Sequence, residues 1–143
     1  MTIELPVKIE GLIPHQPPML MVGELVCLED GEAVSSTVFQ ANNPFVTNLG
    51  GLDEAAFFEI TAQTFAAAFA VSNNNQTPPA GYLTGIKRLK ITGRAFCGQP
   101  VEARVKTIST VDDFFVIEGR VSQNGKELAS GQLTIFVPEG GEK

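Results

Sequence analysis

A long, almost uniformly apolar segment lies in the middle of the chain. It reads FFEITAQTFAAAFAV, and with the residues before it this segment predicts a helix from about Glu54 to Val71, with Asp53 as the N-cap. Apolar or small side chains lie nearly all round this helix, so it is not amphipathic. We therefore expect protein to surround the helix on most sides.

Segments with the pattern of β-strands lie on both sides of the predicted helix. Before it, residues 6–18 form an extended, proline-punctuated lead-in, and two strands follow, with a turn at Asp30-Gly31 between them. After the helix come four long strands, three of which are joined in succession by the tight-hairpin dipeptides Asp112-Asp113 and Asn124-Gly125. The predicted strands are 19–29, 33–40, Tyr82–Thr92, Val101–Val111, Phe114–Gln123 and Glu127–Val137.

This order of elements predicts an α+β fold in which one strongly curved antiparallel sheet wraps one long buried helix. A single sheet covers only one face of a helix. A second copy of the sheet, in a dimer, would bury the remaining face. The 143 residues are enough for a single domain over 1–143, with its core at about 10–137 and peripheral ends.

Composition excludes several classes of function. The net charge of −6 argues against nucleic-acid binding, which needs a concentrated positive surface. With one histidine, and with Cys27 and Cys97 far apart, no metal or redox spacing is present, and we expect two reduced, buried thiols. Neither a P-loop nor a dinucleotide-binding glycine motif occurs.

The sequence also predicts a cytoplasmic location. The first residues, MTIELPVKIEG, lack the basic start and the apolar core of a signal peptide. Polar residues interrupt the longest apolar run, which falls short of the roughly 20 residues needed to span a membrane.

A single carboxylate, Glu59, lies inside the apolar helix. Burial of a carboxylate is costly unless the group is paired or protonated, so the position has either a functional or a local explanation. The local explanation is that Glu59 reaches water at the helix edge or pairs with a basic side chain. Gln63 lies one turn later on the same face, where it could orient the carboxylate or a water, or tie the helix to a neighbouring loop.

Three stretches in this order resemble the hot-dog-fold β-hydroxyacyl-acyl-carrier-protein dehydratases. They are the lead-in LIPHQPPMLMVGEL, the loop NNPFV and the helix motif FFEITAQTFAA. Within that family the chain is most similar to a divergent branch of the aryl-polyene type, which keeps the lead-in histidine, the helix glutamate and a loop with two glycines. The resemblance covers about residues 10–137.

The resemblance implies a reaction and a role for Glu59. In the family, water is removed from a (3R)-3-hydroxyacyl thioester to give a trans-2-enoyl thioester, and the helix carboxylate is the acid of a histidine–carboxylate pair. Backbone N–H groups near Glu54 and Ala55 would stabilise the charge on the thioester carbonyl. Gly50 and Gly51 would permit a tight turn and close backbone approach, and the functional alternative is that they contact the thioester. Gln63 would assist Glu59. No metal or organic cofactor is implied, because the acyl chain arrives on a phosphopantetheine arm.

The loop before the helix departs from the family. It reads VTNLGGLDEAAFFE, with Leu49 or Gly50 where the family's catalytic histidine would stand. The chain's single histidine is His15, in the lead-in. Our hypothesis is therefore that His15 and Glu59 share one pocket and that His15 has taken over the proton transfer.

Basic residues cluster late in the chain, which suggests a surface for an acidic acyl carrier protein. Six of the ten Lys and Arg residues fall between positions 87 and 106, and we assign carrier docking to Lys87, Arg88 and Lys90. The alternative is that they are solvated outer faces of two neighbouring strands.

The partners and two other functions stay open from the sequence. The substrate carrier is an acyl carrier protein or coenzyme A. The assembly is a homodimer or a larger oligomer of dimers, or a heteromer with a related hot-dog subunit. The chain could instead be a hot-dog thioesterase, whose carboxylate activates water, or a non-catalytic partner subunit of a heteromeric dehydratase.

Overall fold

In the described part of the chain, seven strands form one antiparallel sheet, and one helix packs on its inner face. The computed structural model describes residues 5–13, 20–47, 50–72 and 82–138. The sheet order is β1-β2-β3-β5-β6-β7-β4, and the helix is inserted in the chain between β3 and β4. The elements are β1 Val7–Lys8, β2 Glu24–Glu29, β3 Glu32–Val38, α1 Ala56–Ser72, β4 Tyr82–Ile91, β5 Pro100–Val111, β6 Phe114–Gln123 and β7 Lys126–Phe136. The predicted α+β fold is confirmed.

The predicted bounds are wrong in two places near the start of the chain. A short strand, β1, lies within the lead-in and pairs with β2 through Val7 and Leu25. The following strand begins only at Glu24, whereas the sequence predicted a strand from residue 19. Residues 20–23 are not part of a strand. Among the hydrogen bonds that fix them is the one in which the Gly23 carbonyl accepts the N–H of Ile9 at 3.0 Å.

The predicted turn dipeptides set the register of the sheet. Asn124 and Gly125 both have positive φ, at 55° and 80°, and the β6–β7 pairing starts directly beside them with Gln123 opposite Lys126. Asp30 and Gly31 have the same conformation, at 51° and 78°. Positive φ at both central residues matches a type I′ turn, whose twist suits two antiparallel strands.

The helix packs most closely on the centre of the sheet, around β5 and β3. Buried hydroxyls at this contact are paired, since Ser35 and Thr64 are 2.8 Å apart and Thr64 also bonds the Ile60 carbonyl. On β6 the absence of a side chain at Gly119 makes room for Thr61, because a Cβ there would collide with the Thr61 methyl group. The helix therefore fits the sheet closely along its buried face.

We expect Gly119→Ala to destabilise the fold by about 1–3 kcal/mol, because the added methyl group overpacks the contact with Thr61. Urea unfolding measures the effect. The matched control is Gly85→Ala, where the new Cβ would lie 3.9 Å from the Thr134 side chain, an ordinary contact. If the two variants are equally stable, the helix shifts at this point to make room for the added methyl group.

The inner face of the sheet extends beyond the helix onto β4. Leu83 and Ile86 pair opposite the buried residues Ile135 and Leu133, so they lie on the same face as the core. Together with Leu89 they are 43%, 39% and 42% exposed. We call Leu83, Ile86 and Leu89 the β4 strip. It is an apolar surface on the edge strand, and within the described residues only β7 pairs with that strand.

Two further sequence predictions concern the cysteines and membrane spans. Cys27 and Cys97 form no disulfide, but they are half-buried, so the prediction of full burial is wrong. Among the described residues, no helix has the length and apolar character needed to cross a membrane.

Candidate active site

Asp53 caps the helix, as the sequence predicted. Its Oδ1 accepts the N–H of Ala55 at 2.9 Å, and its carbonyl accepts the N–H of Ala56 at 3.0 Å. A side-chain oxygen at this position satisfies one of the backbone donors that the first helical turn leaves unpaired. The cap fixes where α1 starts and so fixes the position of Glu59, one turn further on.

A small hairpin precedes the helix in place of an open loop. We call it the pre-helix hairpin; its described residues are 45–47 and 50–53. The N–H of Thr47 donates to the Gly51 carbonyl at 2.7 Å, and the N–H of Asp53 donates to the Phe45 carbonyl at 2.7 Å. The second arm also bonds residues 95–97, through the N–H of Leu52 to the Ala95 carbonyl at 2.7 Å. Hydrogen bonds therefore hold this arm on both sides.

Gly50 and Gly51 each meet a distinct local requirement in this hairpin. Gly50 has a φ of +85°, which favours glycine, and its N–H donates to the Thr47 carbonyl at 2.9 Å. Gly51 is buried, and a Cβ there would lie 2.5 Å from Cδ of Arg94. The stem of Arg94 thus lies directly on the Gly51 backbone. The predicted contact of both glycines with a thioester stays a prediction.

Glu59 is held by Gln63. The Gln63 Nε2 donates to Glu59 Oε1 at 3.0 Å, and Gln63 Oε1 accepts the N–H of Met21 at 2.7 Å. Gln63 is only 1% exposed, whereas Glu59 is half-buried. Because the Met21 N–H requires an acceptor, the amide oxygen of Gln63 must face it, and the amide nitrogen then faces the carboxylate.

Both roles considered for Gln63 are thus combined in one side chain. It orients the Glu59 carboxylate and also ties the helix to the segment before β2, at Met21. No Lys or Arg of the described ranges forms an ion pair with Glu59. The local explanation by a basic partner is therefore wrong for this part of the chain.

We expect Gln63→Leu to destabilise the protein by about 1–3 kcal/mol, because it leaves the buried Met21 N–H without its acceptor. It should also free the Glu59 carboxylate to rotate. Urea unfolding tests the first effect. The control is Gln99→Leu, a similar change at an exposed residue, which should alter stability by less than about 0.5 kcal/mol. An equal loss in both variants would contradict the bridging role.

The other predicted site residues are not all brought together by the structure. His15 lies in residues 14–19, outside the described residues, so its approach to Glu59 stays a hypothesis. Glu54 is exposed at the start of the helix, and the Ala55 N–H already donates to Asp53. Their predicted contact with a thioester carbonyl stays a prediction.

The proposed docking residues lie on β4. Lys87, Arg88 and Lys90 are exposed there, at an irregularity in the pairing with β7 where Arg88 has a φ of 56°. Of the same basic cluster, Arg104 pairs with Glu32 at 3.2 Å on exposed outer positions. Arg104 therefore fits the alternative of a solvated outer face, whereas carrier docking by the three β4 residues stays a prediction.

Sequence reasoning missed Arg94 as a neighbour of the site. With Asp53, Glu54 and Phe57 it lines a small cavity of about 40 Å³ beside the helix N-terminus. Its position follows from the pairing of residues 95–97 with the pre-helix hairpin, which no local pattern in the sequence indicates.

Comparison with known proteins identifies the family. A family model described as ApeP-like, ApeP dehydratase, matches residues 7–143. The chain belongs to the ApeP-like dehydratase family. The predicted membership in the hot-dog dehydratases, in their aryl-polyene-type branch, is thereby confirmed.

Relatives of this ApeP-like chain include two named by thioester chemistry. An uncharacterised thioester dehydrase of Halalkalibacterium halodurans is 24% identical over 139 residues, which cover 93% of this chain and 89% of the relative. The 3-hydroxyacyl-[acyl-carrier-protein] dehydratase FabZ of Streptococcus mutans is 25% identical, over 91% of this chain and 95% of the relative.

Solved structures confirm the hot-dog fold of the ApeP-like chain. A chain of the dehydratase heterocomplex ApeI:P from Xenorhabdus doucetiae superposes with a TM-score of 0.82 at 19% identity, over 96% of this chain and 94% of that chain. A hypothetical thioesterase of Streptococcus pneumoniae, solved with coenzyme A, gives a TM-score of 0.64 at 13% identity, over 80% and 84% of the two chains.

Proposed function

We propose that this chain is a (3R)-3-hydroxyacyl-acyl-carrier-protein dehydratase, which forms a trans-2-enoyl thioester by elimination of water. The observation that carries the proposal is the Glu59 carboxylate, placed in an apolar helix and oriented by the buried Gln63. Membership in a dehydratase family supports the reaction class. We assign no metal or organic cofactor, and we expect the acyl group to arrive on phosphopantetheine.

The chemistry needs one proton acceptor and one proton donor. A base removes a proton from C2, and Glu59 gives a proton to the departing 3-hydroxyl group, so that the double bond forms as water leaves. We assign the base to His15, because it is the chain's single imidazole. The bond between Gln63 and Met21 supports this, because it anchors the chain six residues after His15 to the side chain that holds Glu59.

A second chain completes the proposed enzyme. We propose that a hot-dog chain packs on the β4 strip, either another copy or a related subunit. The strip supports this proposal because its apolar side chains continue the core face beyond the cover of the helix. The name of the ApeI:P heterocomplex, whose fold this chain shares, makes a related subunit a specific candidate.

A thioesterase is the second candidate. The observation that favours it is a carboxylate without an imidazole in the pre-helix segment, since Glu59 alone could activate water for attack on the thioester carbonyl.

One assay separates these functions. The purified chain is incubated with a trans-2-enoyl thioester on an acyl carrier protein, and two products are followed by mass spectrometry: the hydrated 3-hydroxyacyl species and the free carrier thiol. Hydration supports the dehydratase, whereas free thiol without hydration supports the thioesterase. If neither forms, co-purification identifies a partner, and the assay is repeated on the complex. Hydration by the complex alone would indicate a partner subunit.

A further inference from the structure

Thr47, in the pre-helix hairpin, carries a buried hydroxyl group. Its Oγ1 is enclosed, and no residue in the described part of the chain bonds it. The buried hydroxyls of Thr61 and Thr64 are instead satisfied, by the Phe57 and Ile60 carbonyls at 2.8 and 2.7 Å. Buried polar groups without partners are rare in native proteins, because each one costs free energy. Thr47 therefore calls for a partner beyond the described residues.

The position of Thr47 connects it with the proposed site. It lies in the pre-helix hairpin, where its N–H donates to the Gly51 carbonyl and its own carbonyl accepts the N–H of Gly50. The hairpin leads directly into the Asp53 cap and the helix that carries Glu59. The Thr47 hydroxyl thus belongs to the same hairpin as Gly50 and Gly51, for which contact with the thioester is predicted.

Several backbone donors of this region are already in use. The N–H of Gly50 donates to Thr47, that of Leu52 donates to Ala95, and that of Ala55 donates to the Asp53 side chain. An incoming carbonyl oxygen needs a donor, and a hydroxyl can rotate to supply one.

We propose that the Thr47 hydroxyl donates a hydrogen bond to the carbonyl oxygen of the bound acyl thioester. This inference rests on the proposed function, since it takes a thioester as the ligand. Negative charge develops on that oxygen when the C2 proton is removed, and a preorganised donor there stabilises it. Thr47 would then be a substrate-contacting residue supplied by the hairpin that stands in place of the histidine loop.

The test compares two ligands that differ at this oxygen. One is an enoyl-pantetheine thioester, and the other is the matching thioether, in which a methylene group replaces the carbonyl. The dissociation constants of both ligands are measured for the wild type, Thr47→Val and Thr47→Ser. Each protein is used in the oligomeric state in which it is purified. We expect Thr47→Val to reduce the preference for the thioester by about threefold to tenfold, and Thr47→Ser to keep it.

The thermal midpoint of unfolding gives a second readout, which distinguishes a ligand contact from a purely structural role of the Thr47 hydroxyl. Valine replaces the hydroxyl with a methyl group of similar size, so Thr47→Val should keep or raise the thermal midpoint. The control is Thr64→Val, which leaves the Ser35 hydroxyl unpaired and should lower the midpoint without changing the ligand preference.

The inference is overturned if folded Thr47→Val keeps the wild-type preference, or if neither ligand binds the wild type. A lowered midpoint with unchanged preference would also overturn it, since the hydroxyl then has a partner within the protein assembly. The readout is binding and not turnover. A lost preference in an assembly that never hydrates the enoyl thioester would therefore refute the dehydratase proposal and leave the Thr47 contact standing.

Discussion

Replacing Glu59 by glutamine should lower the rate of enoyl thioester hydration by about 10²-fold or more while the protein stays folded. An amide cannot exchange a proton with the 3-hydroxyl group, and acid–base catalysis by a positioned side chain contributes about 10²- to 10⁴-fold. The amide oxygen of the new residue can still accept the hydrogen bond from Gln63, so the helix should keep its geometry. Hydration kinetics measure the loss, and circular dichroism checks the fold.

The control for this variant is Glu102→Gln, which makes the same chemical change at an exposed position on β5. It should retain wild-type hydration. If Glu59→Gln keeps its activity, Glu59 is not the proton donor. If hydration and release of free carrier thiol are lost together, both activities share this carboxylate. His15→Asn is the next variant, and its hydration rate tests the hypothesis that His15 supplies the base.

Placing a charge in the β4 strip should dissociate the proposed assembly. Ile86→Lys loses the burial of an apolar side chain, worth about 1.5–3 kcal/mol, and places an ammonium group against an apolar partner surface. In a symmetric dimer the loss occurs twice, so the dissociation constant should rise by about 10²-fold or more. Light scattering across a concentration series measures it.

The matched control for Ile86→Lys is Val111→Lys, at the β5–β6 turn. Val111 is 63% exposed, more than Ile86, and it lies outside the β4 strip. It should leave the oligomeric state unchanged. Dissociation in Val111→Lys but not in Ile86→Lys would place the interface at the β5–β6 turn. If Ile86→Lys no longer binds a co-purifying chain of different sequence, while its binding to copies of itself is unchanged, the interface belongs to a heteromer.

The parts of the fold that the sequence predicted are those set by local patterns. The helix has an N-cap and a largely apolar sequence, and the hairpins have turn residues that favour positive φ, so neither needs information from distant residues. The missed features depend on long-range pairing. β1 has only two residues and forms against β2, and the pre-helix hairpin is stabilised by residues 95–97.

The same distinction applies to the site. Glu59 and Gln63 could be predicted because they share a helical face, but the role of Met21 as the partner of Gln63 required the fold. The burial of the Thr47 hydroxyl and the packing of Arg94 on Gly51 likewise arise from segments far apart in the sequence. No spacing rule relates them.

The conformation of Gly50 limits how a histidine could be introduced into the pre-helix hairpin by engineering. A Cβ at this position would have room, since the nearest atom is the Cys97 Sγ at 3.9 Å. The backbone is the obstacle, because a φ of +85° is unfavourable for a residue with a side chain. A single Gly50→His substitution would strain the turn or shift the hydrogen-bonded arm that feeds the helix. Transplanting the imidazole therefore requires a longer segment, rebuilt as a unit between residues 47 and 53.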